Sequence, residues 1–244
     1  MLESLRRLLR KGPKAVDLAP MKAWAYERGY EFRTIRDSDG CMVEPHTAHP
    51  AWRMEWGESQ RTYIPGRELR IIGELGTPKE LVVLVLSRDL METMEKQVFE
   101  QYVEDVQTRL DTETPPEMRW LVLYSKLTPT ELGRLRDDYA AVGSIKPWLQ
   151  QWLSGPLNDA LAATLAAAKR APPMALTLSR GRLTLRTSMP EVSTDAMAMW
   201  LSVFEHAQRE AKHLGQVWQS SAEASHSTQP AAWPKSTLPD DEHG

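Results

Sequence analysis

Apolar residues crowd into two short runs of this chain, Leu81-Val82-Val83-Leu84-Val85-Leu86 and Trp120-Leu121-Val122-Leu123-Tyr124. Runs that short, free of charge and rich in branched side chains read as strands buried on both faces, which places both in a central sheet. Between them Asp89 and Glu92 make a capping-box start. Met91, Met94, Glu95, Val98, Tyr102 and Val106 then recur near helical spacing, which predicts an amphipathic helix over 89–107.

Upstream, Leu2, Leu5, Leu8 and Leu9 lie on one side of a short basic helix that must end before Gly12-Pro13. A helix of that length is marginal alone, so these leucines are read as a docking face for the chain's own core, another protein or an anionic membrane. A second helix is expected over 20–28, between Pro20 and Gly29. The pattern then changes to short segments punctuated by Gly and Pro: 30–35, 41–44, 51–56, 60–64, 67–75 and the apolar run at 81–86. Evenly spaced strands of this kind describe an antiparallel meander, with Asp37-Ser38-Asp39-Gly40 as its first hairpin turn.

Downstream, Thr128-Pro129-Thr130-Glu131 combines an N-cap, an N1 proline and a capping-box glutamate, predicting a helix to about residue 142. A short aromatic helix is expected over 147–153 and an alanine-rich one from 156 to about 171. Strands at 175–179 and 182–187 form a hairpin joined at Arg180-Gly181, and a last helix runs over 193–217 with Met197, Trp200, Leu201, Phe204, Ala211 and Leu214 inward. The passages from 81–86 into 89–107 and from 182–187 into 193–217 resemble each other faintly. From residue 219 the composition turns to Ser, Ala, Pro and acidic residues, which reads as a disordered tail.

The fold class predicted is α+β: an antiparallel meander with N-terminal helices, followed by helices and a β-hairpin packed on a sheet. The organisation is 1–126, 127–218 packed against it as one unit, and the tail 219–244.

Composition narrows the function only a little. Of 244 residues, 41% are hydrophobic and 26% charged, which is ordinary globular usage. A net charge of -3 gives no reason to expect nucleic-acid binding, which needs a concentrated basic face. With one cysteine, Cys41, no intrachain disulfide or cysteine-rich zinc site can form, and a reducing, cytoplasmic setting is the default. No stretch approaches the roughly 20 apolar residues of a membrane span, and residues 1–12 lack the apolar core of a signal peptide.

Candidate chemistry is thin. Cys41, His46 and His49 lack a fourth ligand at zinc-site spacing and are read as a loop, so no metal is expected. Asp37-Ser38-Asp39-Gly40 lacks the bidentate Glu of a calcium loop, its twelfth position being Ala48. His206 and His213 are too far apart along one helix to chelate as a pair. Neither Gly66 nor Gly181 begins a phosphate-binding loop, and no cofactor is expected. Nine tryptophans stand against three phenylalanines, which makes indoles the main aromatic core material. Trp24, Trp120, Trp148, Trp152 and Trp200 fall at core positions of the expected elements. Trp52 and Trp56 share one strand face near Arg61 and Tyr63, so these four form a candidate aromatic binding surface, unless the face is simply the inner side of the meander.

The reading that follows is a cytoplasmic, non-enzymatic protein-interaction, adaptor or assembly module, with a protein partner or a second copy of itself. One alternative is an enzyme or ligand-binding protein whose pocket gathers distant groups such as Glu55, Arg61, Arg67 or Glu117. Another is weak membrane association through the basic helix at residues 2–11.

Overall fold

The protein is described by a computed structural model covering residues 16–36, 38–49, 51–104, 114–167 and 171–226. The leucine-bearing helix expected at 2–11, the end of the central helix expected at 105–107, and the tail beyond residue 226 lie outside these residues.

Among the described residues seven helices and a nine-stranded antiparallel sheet form an α+β architecture. In chain order the elements are α1 (Ala19–Glu27), β1 (Tyr30–Thr34), β2 (Cys41–Pro45), β3 (Arg53–Glu58), β4 (Arg67–Glu74), β5 (Val83–Ser87), α2 (Arg88–Glu104), α3 (Pro116–Leu123) and β6 (Ser125–Lys126). There follow α4 (Pro129–Leu132), a 3-10 turn (Gly133–Leu135), β7 (Tyr139–Gly143), α5 (Lys146–Trp152), α6 (Pro156–Ala167), β8 (Met174–Ser179), β9 (Arg182–Ser188) and α7 (Thr194–His226).

The strand order is β1-β2-β3-β4-β9-β8-β5-β7-β6. The meander β1 to β4 is continuous, but the β8–β9 hairpin is inserted between β4 and β5, so strands from both parts of the chain share one sheet. Arg180 and Gly181 close that hairpin with φ of 54° and 75°, the paired left-handed conformation of a tight turn whose twist suits the flanking strands. The Leu75 N–H donates to Gly181 O at 2.7 Å, tying the connection to β5 across the hairpin tip.

Period-two alternation divides the side chains between two faces. On one face Cys41, Val43, Met54, Trp56, Leu69, Ile71, Leu183, Leu185, Leu176, Leu178, Val83 and Val85 are buried with Met21, Trp24, Trp148, Trp152, Trp200 and Phe204 of the helices α1, α5 and α7. Each such side chain contributes on the order of 1.5–3 kcal/mol of transfer free energy. The largest helix, α7, comes so close to β4 that a Cβ on Gly73 would lie 2.8 Å from Gln208 Nε2 and 3.1 Å from Phe204 Cζ. Only glycine allows that approach.

On the other face a smaller core gathers Leu84, Leu86, Ala140, Val142 and Ala175 under Leu90, Met91, Met94, Met118 and Leu121 of α2 and α3. All five residues of β5 are buried, as expected of a strand covered on both sides. The faintly similar passages from strand to helix diverge in space: α2 covers this face of the sheet and α7 the opposite one.

Four assignments change. The second apolar run, 120–124, is not a strand; its first four residues close α3, which Pro116 begins at the first turn and whose Val122 and Leu123 stand in solvent, and Tyr124 caps it. Only two residues after it, Ser125 and Lys126, pair with β7. The capping box at Thr128 is present: the Thr128 N–H donates to Glu131 Oε2 at 2.7 Å and the Glu131 N–H to Thr128 Oγ1 at 3.3 Å. Yet α4 stops at Leu132, because Gly133 takes φ 59°, and the stretch 139–143 expected as helix is strand β7 beside β5. Residues 60–64 are a loop rather than a strand, with Tyr63 and Ile64 packed into the smaller core. Finally, α7 extends through residue 226, so 219–226 is helix rather than part of a tail.

Candidate functional site

Beyond the edge of the smaller core the sheet face turns polar. Register sets Glu55 of β3 opposite Arg70 of β4, and Arg70 opposite Arg186 of β9. Leu69 and Ile71 point to the main core, so Glu68 and Arg70 necessarily point away from it.

The result is a chain of charges across three strands. Arg53 Nε lies 2.8 Å from Glu55 Oε1, Glu55 Oε2 accepts from Arg70 Nη2, and Arg70 Nη1 lies 3.6 Å from Glu68 Oε1. That same oxygen accepts from Arg186 Nη1 at 2.7 Å, while Ser59 Oγ donates to Glu68 Oε2 at 3.3 Å. Glu68 is only 3% exposed, and Arg70 and Arg186 are buried as well.

A second pair adjoins the chain through the loop between β3 and β4. Arg61 Nε and Nη2 donate to Glu117 Oε1 of α3 at 3.3 and 3.4 Å. Burial opposes the charge on Arg61, but Glu117 and Tyr63 outweigh it and its pKa rises. The Tyr63 hydroxyl, buried beside Glu117 without a hydrogen bond of good geometry, is pushed far above its ordinary range, first by burial and then by that carboxylate. Arg70 Nε and Glu117 Oε2 are likewise buried without a partner among the described residues. Chemically the cluster is a set of carboxylates and guanidiniums that neutralise one another at the margin of the smaller core.

The residues expected to form an aromatic surface are split by the sheet. Trp52 and Trp56 are 4% and 1% exposed in the main core. Trp52 meets Tyr30 edge-on at 5.0 Å, and the Trp56 indole N–H donates to Met189 O at 2.8 Å. They line the inner side of the meander. Arg61 and Tyr63 lie on the opposite face with Glu117. Of the four groups suggested for a pocket, Glu55, Arg61 and Glu117 belong to the polar cluster, whereas Arg67 stacks over the Trp56 ring and pairs with Asp39.

Cys41 is buried, its thiol pushed up to about 12 by burial, while His46 and His49 are exposed. Among the described residues no group of three or more His, Cys, Asp or Glu is placed to hold a metal ion. No helix among them is long and apolar enough to cross a membrane.

In the sequence Glu68 stands out only as one of several meander carboxylates, and Arg70 and Arg186 do not stand out at all. Their signal was present as charges alternating with Leu69 and Ile71, and with Leu183 and Leu185.

The second surface of note lies on α2 and α3. Phe99, Val122 and Leu123 are 68%, 59% and 70% exposed. Phe99 and Val122 border a shallow groove with Glu95, Val98, Leu121 and Lys126, where Lys126 Nζ donates to Glu95 Oε1.

The chain matches no protein-family model and no curated protein. Among solved structures it is similar to the mycobacterial trehalose monomycolate transport factor A, TtfA, with 7% identity and a TM-score of 0.43 over 78% of this chain and 90% of that one.

Proposed function

We propose that this protein is a non-enzymatic docking module, an adaptor or assembly component working in the cytoplasm, and that the groove between α2 and α3 receives an amphipathic helix of a partner protein. The observation that carries this reading is the exposure of Phe99, Val122 and Leu123 together on neighbouring helices. Large apolar side chains grouped in solvent mark interaction surfaces more often than isolated ones do. An apolar groove between two helices, with an ion pair at its rim, suits the ridge of a third helix.

The test is photo-crosslinking in living cells, with a photoreactive residue placed at position 99 or 123 and a control at the exposed Lys79. A single discrete protein adduct at 99 and 123, absent at 79 and lost when Val122→Ser is added, is the expected result. Adducts at all three positions or at none overturn the reading.

One observation favours a second reading, a small-ligand site at the polar cluster. Arg70 Nε, Glu117 Oε2 and the Tyr63 hydroxyl are buried polar atoms there without a hydrogen bond of good geometry among the described residues, and such atoms ordinarily find one. Native mass spectrometry of the gently purified chain separates the two: a retained small molecule supports the ligand site, and a clean protein mass removes it.

A further inference from the structure

The outermost strand of the sheet is complementary to a copy of itself. Among the described residues β1 pairs with β2 on one side and with no strand on the other. The Ile35 N–H donates to Gly40 O at 2.9 Å. These two residues continue the β1–β2 register, so they are a hydrogen-bonded pair, and alternation makes Arg33–Met42 and Glu31–Glu44 hydrogen-bonded pairs too. The backbone N–H and C=O groups of Tyr30, Phe32 and Thr34 therefore point outward from the sheet edge.

An antiparallel copy related by a two-fold axis at Phe32 would satisfy every one of those groups. Tyr30 would pair with Thr34 of the second copy, Phe32 with Phe32, and Thr34 with Tyr30. The positions between them would form the wide pairs, in which side chains approach most closely. There Glu31 falls opposite Arg33 of the second copy, and Arg33 opposite its Glu31. Both residues lie on the polar face of the sheet, and Arg33 Nη2 already lies 2.8 Å from Glu31 Oε2, so the two charges stand ready on one face. On the opposite face the half-buried Phe32 would meet its counterpart beside the main core, with the half-buried Tyr30 opposite Thr34 of the second copy on either side of it.

Charges on an edge strand usually protect it, because a like charge repels an approaching strand. Opposite charges two residues apart do the reverse for an antiparallel copy. We propose that β1 is the docking edge for a second copy of this chain, joining two nine-stranded sheets into one continuous sheet across a two-fold axis. This goes beyond the α2–α3 groove and does not depend on it.

Sedimentation equilibrium on the full chain tests the proposal. The wild type should dimerise in the micromolar range. Thr34→Pro removes an outward N–H that the β1–β2 ladder does not use, and should leave a folded monomer. E31R alone and R33E alone each set like charges opposite one another, and should weaken the dimer about tenfold. The double variant E31R/R33E restores the match and should recover the wild-type affinity. An equimolar mixture of the two single variants should form heterodimers although neither self-associates well. That pattern cannot come from damage to the monomer, and so stands even if Thr34→Pro fails to fold. A wild type that stays monomeric throughout, or a dimer indifferent to charge reversal, overturns the proposal.

Discussion

Replacing Glu68 by glutamine removes one charge from the centre of the polar cluster while keeping nearly the same volume. Glu68 Oε1 lies 2.7 Å from Arg186 Nη1 and 3.6 Å from Arg70 Nη1. In E68Q Arg186 loses the carboxylate it pairs with, while Arg70, directly opposite it across β4 and β9, keeps Glu55. Removing one partner from a buried ion pair typically costs about 3–5 kcal/mol. The amide can still accept from Arg186, so the lower end, about 3 kcal/mol, is expected. For a chain of this size that lowers Tm by roughly 6–12 °C.

Chemical denaturation reads the effect as a fall in midpoint at constant slope. Two companions make the measurement decisive. E74Q breaks the pair of Glu74 with Arg182, also 2.7 Å long but with both side chains more than 60% exposed, and should change stability by less than about 0.5 kcal/mol. E68Q/R186M removes both charges of the buried pair and leaves Arg70 its partner Glu55, so most of the loss should return. If E68Q costs no more than E74Q, or if the double variant recovers nothing, the cluster is not a buried, mutually dependent network.

Two further outcomes follow from the core. Burial pushes the Cys41 thiol and the Tyr139 hydroxyl each up to about 12 and raises Tyr63 as well. Above about pH 9 the folded chain then holds protons that the unfolded chain has released, so stability should decline as pH climbs from about 9 toward 12. A urea midpoint that is flat or rising between pH 9 and 11 contradicts this. Gly73→Ala puts a methyl group 2.7 Å from Ala51 O and 2.8 Å from Gln208 Nε2 and should cost about 1–3 kcal/mol by prying α7 from β4; a thermal transition within a degree of wild type means α7 yields there without strain.

What could be read from the chain depended on how far apart the deciding partners lie. The strand β5, the helices α1, α2 and α5, and the β8–β9 hairpin are set by local pattern, caps and turns, and they form where expected. Tyr139-Ala140-Ala141-Val142 has nothing local to separate it from a helix. It is a strand because Ala141 and Val142 find Val85 and Leu84 more than fifty residues away. Conversely, Trp120-Leu121-Val122-Leu123-Tyr124 carries the composition of a buried strand but follows a proline at a helix start, and its Val122 and Leu123 stay in solvent. The polar cluster was hidden for the same reason: Glu68 and Arg186 are ordinary charges until β9 is laid beside β4.

That pairing also gives the cluster a role the sequence alone could not suggest. β4 and β9 come from separate parts of the chain, with no short turn to fix their alignment. A slip of one residue would turn Glu68 and Arg70 into the main core and Leu69 and Ile71 out to the polar face. Buried charges are weak sources of net stability, but misplaced ones are severely penalised, which is why ionic groups can specify a register. Here Glu68 holds Arg186 from the neighbouring strand, and Arg61 on the β3–β4 loop holds Glu117 of α3. The network thus joins the meander, the inserted hairpin and the second helical layer at the line where the covered half of the sheet face meets the open half. Apolar residues could fill that seam, but they would tolerate the slipped alignment as well as the native one, and the paired charges do not.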